Sequence, residues 1–338
     1  MTPHPKDRAY LLGIDVGNSK THALLASLSG KAAGFAEIGC GSYEVLGLGG
    51  YTEALQKVTD LALADTGLEQ NQLMGLGFGI AGYDWPSEEP VMEAGIESLG
   101  VDAPYAYVND VTIGLLAGAS AGWGVAVDAG TGNNVRGRAP DGRIGRITGN
   151  SVRFGEYGGA GELVWRAMIA VSYAWSQRGP KTRLTRMFMD YAEVDTEANL
   201  IETWAMHQLL PPPILAKEIF RLATEGDPVA RDVIVWNARE LGESTNAVIR
   251  QLSIQNETFD VVLIGSLFKA GEAYIAPLRE TVQSFAPGAT LTRLTVPPVV
   301  GAVLLAAEAA GFDPGQIRPT LIKSTAETLT SQTGDSLT

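Results

Sequence analysis

The sequence predicts an α/β protein built as two similar halves, and three observations carry that expectation. Its 338 residues are long for one hydrophobic core and natural for two domains of roughly 100–200 residues each. Short apolar runs of strand length alternate with segments of helical spacing. Each half opens with a strand–turn–strand pattern whose turn is made of small residues, once at Asp15–Thr21 and again at Asp128–Asn134.

The composition narrows the function classes. With 45% hydrophobic residues the chain can fill packed cores, so a disordered or fibrous protein is excluded. The 25 basic and 38 acidic side chains give a formal charge of −13, a field that repels phosphate backbones, and no Lys/Arg run forms a basic patch. A nucleic-acid partner is therefore not expected. No run approaches the ~18 apolar residues of a membrane span, and the opening MTPHPKDRAY lacks the apolar core of a secretory signal. Cys40 is the single cysteine, which excludes a disulfide framework or a cysteine-built cluster made by one chain. These bounds favour a cytoplasmic protein, with the oligomeric state open and a homodimer among the options.

Element by element, Tyr10–Val16 and Thr21–Leu28 predict two strands around Gly17-Asn18-Ser19. Thr52–Thr66 has helical spacing (Ala54, Leu55, Val58, Leu61, Ala62) that stops at Gly67. Leu73–Ala81 reads as a glycine-rich strand, Ser87–Leu99 as a helix, Ala103–Val108 as a strand and Val111–Ala121 as a helix of small residues. The pattern then restarts with strands at Trp123–Asp128 and Asn134–Ala139. Glu162–Ala174 predicts a helix. Asp227-Pro228 forms an N-cap with proline at the first helical position, opening a helix through about Arg250. Phe259–Ile264 is a buried strand, and Val299–Ala310 an alanine-rich helix closed by Gly311. Eight of the last fifteen residues are Ser or Thr, so 319–338 is expected to be a disordered tail. The expected domains are a small one, 9–118 completed by 299–313, and a large one, 119–298.

Three turns and one carboxylate stand out. In Asp15-Val16-Gly17-Asn18-Ser19-Lys20-Thr21, small residues let backbone N–H groups approach an anion, Ser19 and Thr21 carry hydroxyls, and Lys20 carries a positive charge. Asp15 is placed to hold a metal ion through water. Gly130-Thr131-Gly132 repeats the phosphate-cradle composition in the second half, and Gly265-Ser266-Leu267-Phe268-Lys269 follows a buried strand. Each turn has a plain reading as a hairpin or a strand-to-helix turn. Asp110, between a strand and a helix, suits either a helix N-cap or a general base at a strand end facing a crevice. Gly77-Phe78-Gly79-Ile80-Ala81-Gly82 fits GxGxxG, yet Tyr83-Asp84-Trp85-Pro86 follows where a dinucleotide fold needs a helix. It is rejected as a nicotinamide site. His4, His22 and His207 show no metal-ligand spacing.

In this order the segments resemble the BadF/BadG/BcrA/BcrD ATPase family, in particular its N-acetylglucosamine kinase-like branch, across residues 9–313. Asp15…Thr21 is similar to the family's first phosphate motif, Asn109-Asp110 to its catalytic-acid segment, Gly130-Thr131-Gly132 to its second phosphate motif and Gly265–Lys269 to its adenosine motif. Gly79-Ile80-Ala81-Gly82 and Val300-Gly301-Ala302 match further landmarks. The resemblance implies two RNase-H-like domains of the actin-like ATPase fold around a central cleft. It implies ATP and Mg²⁺ as cofactors, and phosphoryl transfer to a hydroxyl of a sugar or amino sugar. On this resemblance Asp110 is the catalytic base, and Gly17, Asn18, Ser19, Lys20, Thr21, Gly130, Thr131, Gly132, Gly265, Ser266 and Phe268 bind the nucleotide. Ser42, Asn109, Asn134 and Glu156 touch the substrate, and Asp15 holds the metal through water.

The sequence departs from the family at three places. Val16 and Asn18 stand where glycine is usual, Ser42 stands near the usual sugar-contacting Asn, and the sugar segment reads Gly155-Glu156-Tyr157 with Tyr157 in place of an acid. Two alternatives follow from the same family: an ATP-driven activator of a partner enzyme, and a nucleotide-binding sensor without transfer activity. Activators of this kind resemble the fold but bridge an iron–sulfur cluster with cysteines from both chains, a set that Cys40 alone does not supply.

Overall fold

The computed structural model describes residues 10–64, 66–206 and 211–333. The readings of His4 and His207 and the last five residues of the expected tail lie outside them. The chain divides into two compact units, Met1–Ala126 with Thr292–Thr338, and Val127–Leu291.

The first unit is a five-stranded sheet between two layers of helices. Its strands are β1 (Tyr10–Val16), β2 (Thr21–Ser27), β3 (Ala32–Ile38), β4 (Leu73–Ile80) and β5 (Tyr105–Asn109), in the spatial order β3-β2-β1-β4-β5. The first three run antiparallel as a meander, and β4 and β5 are parallel to β1. Alternation along β1 sorts the faces. Leu12, Ile14 and Val16 pack beneath α1 (Tyr43–Ala64) and α2 (Glu89–Glu97), with Tyr51, Leu55, Val58, Met92 and Ile96. Leu11, with Leu24 and Ala26 of β2, faces α10 (Val299–Ala309) and α11 (Pro314–Thr333).

Glycine sets how closely α10 sits on the sheet. A β-carbon at Gly13 would lie 2.4 Å from Val303 N, one at Gly75 2.4 Å from the Ala306 carbonyl oxygen, and one at Gly77 2.0 Å from that of Ala302. These strand positions are therefore a trough for a helix backbone. That accounts for the GxGxxG string: Gly77 is pressed by α10 and Gly79 by Ile113 of α3 (Asp110–Gly118).

Two elements of this unit differ from the sequence reading. The strand β3 was not expected, because Ala-Ala-Gly-Phe-Ala-Glu-Ile has no apolar alternation; Gly34 there admits the Ala62 carbonyl of α1 at 2.3 Å from a would-be β-carbon. The expected disordered tail is corrected, since Pro314–Thr333 is a helix. Ile317 and Leu321, one turn apart, are buried against α10 and the sheet, and Ser324 Oγ accepts from Ala32 N at 2.9 Å. Arg318 donates to the Leu116 and Ala117 carbonyls at the end of α3.

The second unit repeats the plan. Strands β6 (Gly124–Ala129), β7 (Asn133–Arg138), β8 (Ile144–Ile147), β9 (Phe259–Ile264) and β10 (Ala289–Arg293) lie in the order β10-β9-β6-β7-β8. Taken from its other edge this is again third, second, first, fourth, fifth. Helices α4 (Ala160–Trp175), α5 (Leu184–Ala192), α6 (Glu197–Ala205), α7 (Ala216–Thr224), α8 (Pro228–Leu252) and α9 (Glu272–Phe285) complete it. Asp227 caps α8 by accepting from Ala230 N at 2.9 Å, as the Asp-Pro pair predicts. Among the described residues no helix is long and apolar enough to cross a membrane.

Candidate functional site

In the second unit two of the singled-out turns meet. The β6–β7 turn is closed by Gly130 N donating to the Gly132 carbonyl at 3.0 Å, and α4 begins directly on it. Ala160 N and Gly161 N donate to the carbonyls of Gly130 and Thr131, both at 2.9 Å. A side chain at Gly159 would run into Gly132, 2.4 Å from its carbonyl carbon. Glu162 accepts from Gly159 N at 2.8 Å and completes the helix start; burial pushes its carboxyl above the ordinary range. The turn after β9 then arrives at the same strand end. Gly265 has φ 104°, and a β-carbon there would lie 2.4 Å from the Ala129 carbonyl oxygen and 2.8 Å from Asp128 Oδ1. Only glycine accommodates both that φ and that approach.

Next to this junction lies a cavity of about 800 Å³, within the size range of small-molecule sites. Gly130, Thr131 and Ala160 form one wall; Ser266, Leu267, Lys269 and Ala270 another; and Pro212, Pro213, Ile214, Lys217 and Phe220 the third. The sequence reading reached the first two walls and missed the third, whose available signal was the proline run at 211–213 turning the chain into α7. One assigned side chain is corrected: Phe268 is buried against Tyr274, ring centroids 5.8 Å apart, and is absent from the cavity lining. In the tight Ser266–Ala270 turn it is Ser266, Leu267, Lys269 and Ala270 that line the cavity.

In the first unit the β1–β2 turn exposes Asn18 and Ser19. Lys20 is held at 2.6 Å by Glu37 of β3, both side chains well exposed. Asp15, His22 and Glu37 stand opposite one another across three strands. His22 Nε2 lies 3.0 Å from Glu37, and Nδ1 lies 3.7 Å from Asp15. The Asp15 carboxylate, reinforced by Glu37, holds the imidazole above its ordinary pKa while burial pulls the other way. Thr21 is a correction. It points to the face of β2 opposite Lys20 and His22, is fully buried, and its Oγ1 is covered by Gly41 with no partner. It supports the turn from below instead of presenting a hydroxyl to an anion.

At the head of α3, Asn109 is the N-cap and Asp110 the first helical residue. This corrects the reading of Asp110 as the cap. Val111 N donates to Asn109 Oδ1 and to Asp110 Oδ1, both at 3.0 Å. Asn109 Nδ2 donates to the Tyr83 carbonyl and to Asp84 Oδ1, each at 3.3 Å. Asn109 is buried with both ends of its amide engaged, so a direct substrate contact is replaced by a structural role. The loop that supplies Asp84 is itself anchored. Glu88 Oε2 accepts from Asp84 N at 2.7 Å and Trp85 N at 2.8 Å, and Tyr43 OH donates to Glu88 Oε1 at 2.6 Å. Burial, then Asp84 and Glu88, push the nearby Glu44 carboxyl upward.

The remaining substrate candidates separate by unit. Ser42, in the first, is fully buried and its hydroxyl has no partner. In the second, Asn134 Oδ1 accepts from Arg136 Nε at 2.9 Å, and Glu156 accepts from Asn150 through both its backbone and side-chain nitrogens. Tyr157 packs between Trp236 and Trp165, at centroid distances of 4.8 and 6.0 Å. Among the described residues no three His, Cys, Asp or Glu side chains gather to hold a metal. Asp15, the carboxylate that the sequence expects to hold a metal through water, has His22 Nδ1 at 3.7 Å.

The chain resembles known proteins in sequence and in fold. The sequence profile of the BadF/BadG/BcrA/BcrD ATPase family matches residues 12–306. The chain is 26% identical over 309 residues to the N-acetylmuramic acid/N-acetylglucosamine kinase of Clostridium acetobutylicum, covering 88% of this chain and 98% of that protein. It is also 26% identical over 318 residues to the N-acetyl-D-glucosamine kinase of Dictyostelium discoideum, with the same coverage of 88% and 98%. A ROK family glucokinase from Streptomyces griseus, solved with glucose and AMPPNP, shares the fold with a TM-score of 0.53 at 17% identity, over 89% of this chain and 99% of that one.

Proposed function

Starting from a chain that belongs to the BadF/BadG/BcrA/BcrD ATPase family, we propose that it is an ATP-dependent sugar kinase whose acceptor is an N-acetylated amino sugar. The observation that carries this reading is the cavity onto which Gly130-Thr131 and Ser266–Ala270 converge from distant parts of the sequence. Its apolar wall of Pro212, Ile214, Phe220 and Leu267 suits a nucleobase. Thr131 and Ser266 bring hydroxyls and Lys217 and Lys269 bring positive charge to the same space. The acceptor class rests on the names of the two relatives at 26% identity.

In this mechanism the sugar hydroxyl attacks the γ-phosphorus of ATP. Asp110 accepts the hydroxyl proton as the new O–P bond forms, the bond to the bridging oxygen breaks, and ADP departs. Mg²⁺, held by Asp15 through water, would supply neutralisation of phosphate charge. The chain's own part is positioning and electrostatics. The backbone of the Gly130–Gly132 turn faces the phosphates, the wall at 212–220 holds the base, and α3 presents the carboxylate from a capped helix start.

A coupled assay of ADP release against hexoses, amino sugars and N-acetyl sugars tests the reading. Turnover that depends on an N-acetylated amino sugar is expected. ATP hydrolysis indifferent to sugar, or nucleotide binding without turnover, would overturn it.

A further inference from the structure

We propose that Tyr274 is a positioning residue for ATP, its hydroxyl setting the Gly158-Gly159 segment against the Gly130–Gly132 turn; the inference rests on the reading of the adjoining cavity as the nucleotide site. Tyr274 lies in α9 and has no solvent exposure. Its hydroxyl donates to the Gly158 carbonyl at 2.6 Å and accepts from Asn237 Nδ2 of α8 at 2.9 Å. Burial pushes the phenol far above its ordinary pKa, so it stays a neutral donor. The ring packs against Phe268 of the Ser266–Ala270 turn and Phe220 of the third wall, at centroid distances of 5.8 and 6.2 Å. One buried side chain thus joins the second and third walls of the cavity to the segment that leads into the first.

Gly158 has φ 143°, and without a side chain its peptide turns easily unless the oxygen is held. The next residue has no slack to absorb such a turn. A β-carbon at Gly159 would stand 2.4 Å from the Gly132 carbonyl carbon and oxygen, so the two backbones are closely packed. Gly159 also starts α4. Its N–H donates to Glu162 at 2.8 Å, and its carbonyl accepts from Leu163 N at 3.1 Å and Asn237 Nδ2 at 3.3 Å. The first residues of α4 in turn donate to the Gly130 and Thr131 carbonyls. A rotation at Gly158 therefore reaches the phosphate turn through backbone contacts alone. When the hydroxyl is cut away, a buried carbonyl loses its donor and turns toward another. The Gly130–Gly132 turn then leaves the setting in which its backbone faces phosphate. The base wall is spared, because the ring that remains in Tyr274→Phe still packs on Phe220 and Phe268.

The test measures Kd for ATP and for adenosine, by competition against a fluorescent ATP analogue, in full-length Tyr274→Phe, Thr281→Val and Lys217→Ala. In Tyr274→Phe the Kd for ATP is expected to rise about tenfold, the equivalent of one lost hydrogen bond. The Kd for adenosine, which has no phosphates to place, should stay within about twofold of the unmodified protein. A merely structural hydroxyl would lower Tm and leave both constants alone, or move both alike. Thr281→Val is the comparison. It removes a hydrogen bond of the same helix, from Oγ1 to the Pro277 carbonyl at 2.9 Å, on the side packed against Gly242. Both its constants should stay within about twofold. An ATP Kd in Tyr274→Phe within about twofold of the unmodified protein, or an equal loss for adenosine, would overturn the proposal. So would a Thr281→Val variant that loses ATP affinity as far as Tyr274→Phe does. Lys217→Ala keeps the two failures apart. If it and Tyr274→Phe both bind ATP normally, the cavity is not the nucleotide site and both readings fall. A weakened Lys217→Ala beside a normal Tyr274→Phe removes only the positioning role.

Discussion

Replacing Asp110 by Asn separates two jobs that a carboxylate at the head of a helix can do. The structure limits the stability cost. The cap of α3 is Asn109, whose bond to Val111 N is untouched, so the ~1 kcal/mol typical of an N-cap is retained. Asn at 110 still offers an oxygen to Val111. What is lost is an acidic charge in the first turn, worth about 0.3–1 kcal/mol against the helix dipole. For a unit of this size that corresponds to a fall of at most about 4 °C in Tm. The kinetic cost is of another order. A missing general base costs roughly 10²–10⁴-fold, or about 2.7–5.4 kcal/mol of barrier at 1.36 kcal/mol per decade. Sugar-dependent ADP release measures the rate, calorimetric titration the ATP affinity, and a thermal scan the fold. The expected result is a rate loss of at least about a hundredfold with ATP binding unchanged and Tm nearly so. Turnover within about threefold of the unmodified enzyme would refute the assignment, because no base of this kind is so cheaply lost.

Other substitutions probe the remaining parts. Gly265→Val should lower stability by about 3 kcal/mol or more, since φ 104° and the Ala129 carbonyl 2.4 Å from its β-carbon both oppose it; an unchanged Tm would contradict the close approach of the two turns. Lys217→Ala removes a charge from the cavity wall and should weaken ATP binding about tenfold at low salt, the size expected of one charge pair some 10 Å apart at an effective dielectric near 20. Equal Kd values by calorimetry would move the nucleotide elsewhere. Leu321→Ala, at a site with no solvent exposure, should cost about 2–5 kcal/mol, whereas a disordered tail would leave the melting curve where it was.

The turns were the most legible part of the sequence, because a backbone that must pass close to something else has few residues to choose from. Gly265 marks such an approach, and the order of the segments Asp15–Thr21, Asn109-Asp110, Gly130–Gly132 and Gly265–Lys269 points to the family whose profile matches residues 12–306. Side-chain direction was less legible. Thr21 and Phe268 sit in the expected turns, yet strand alternation sends one beneath Gly41 and a tight turn sends the other to Tyr274. Segments whose packing uses absence also escaped. Gly34 in β3 is invisible to a search for apolar alternation, although it is what lets α1 lie close. In the C-terminal helix the Ser and Thr content masked Ile317 and Leu321, a pair sufficient to fasten it. The third wall of the cavity comes from residues that have no motif of their own, and only the fold brings them to the turns.

The glycine trough beneath α10 has a consequence for the order in which the molecule comes into being. Every strand of the first sheet lies within Tyr10–Asn109, but the helix that fills the trough is Val299–Ala309. A chain emerging from its N-terminus therefore displays Leu11, Leu24 and Ala26 uncovered while the whole of Val127–Leu291 is being added. That inserted stretch is continuous and can close on itself as it appears, so the later-made half can complete its core before the α10 face of the earlier one is covered. The interval is one in which the nascent sheet needs shielding. It ends when α10 settles onto Gly13, Gly75 and Gly77 and Arg318 reaches the carbonyls of Leu116 and Ala117. The half begun first is finished last.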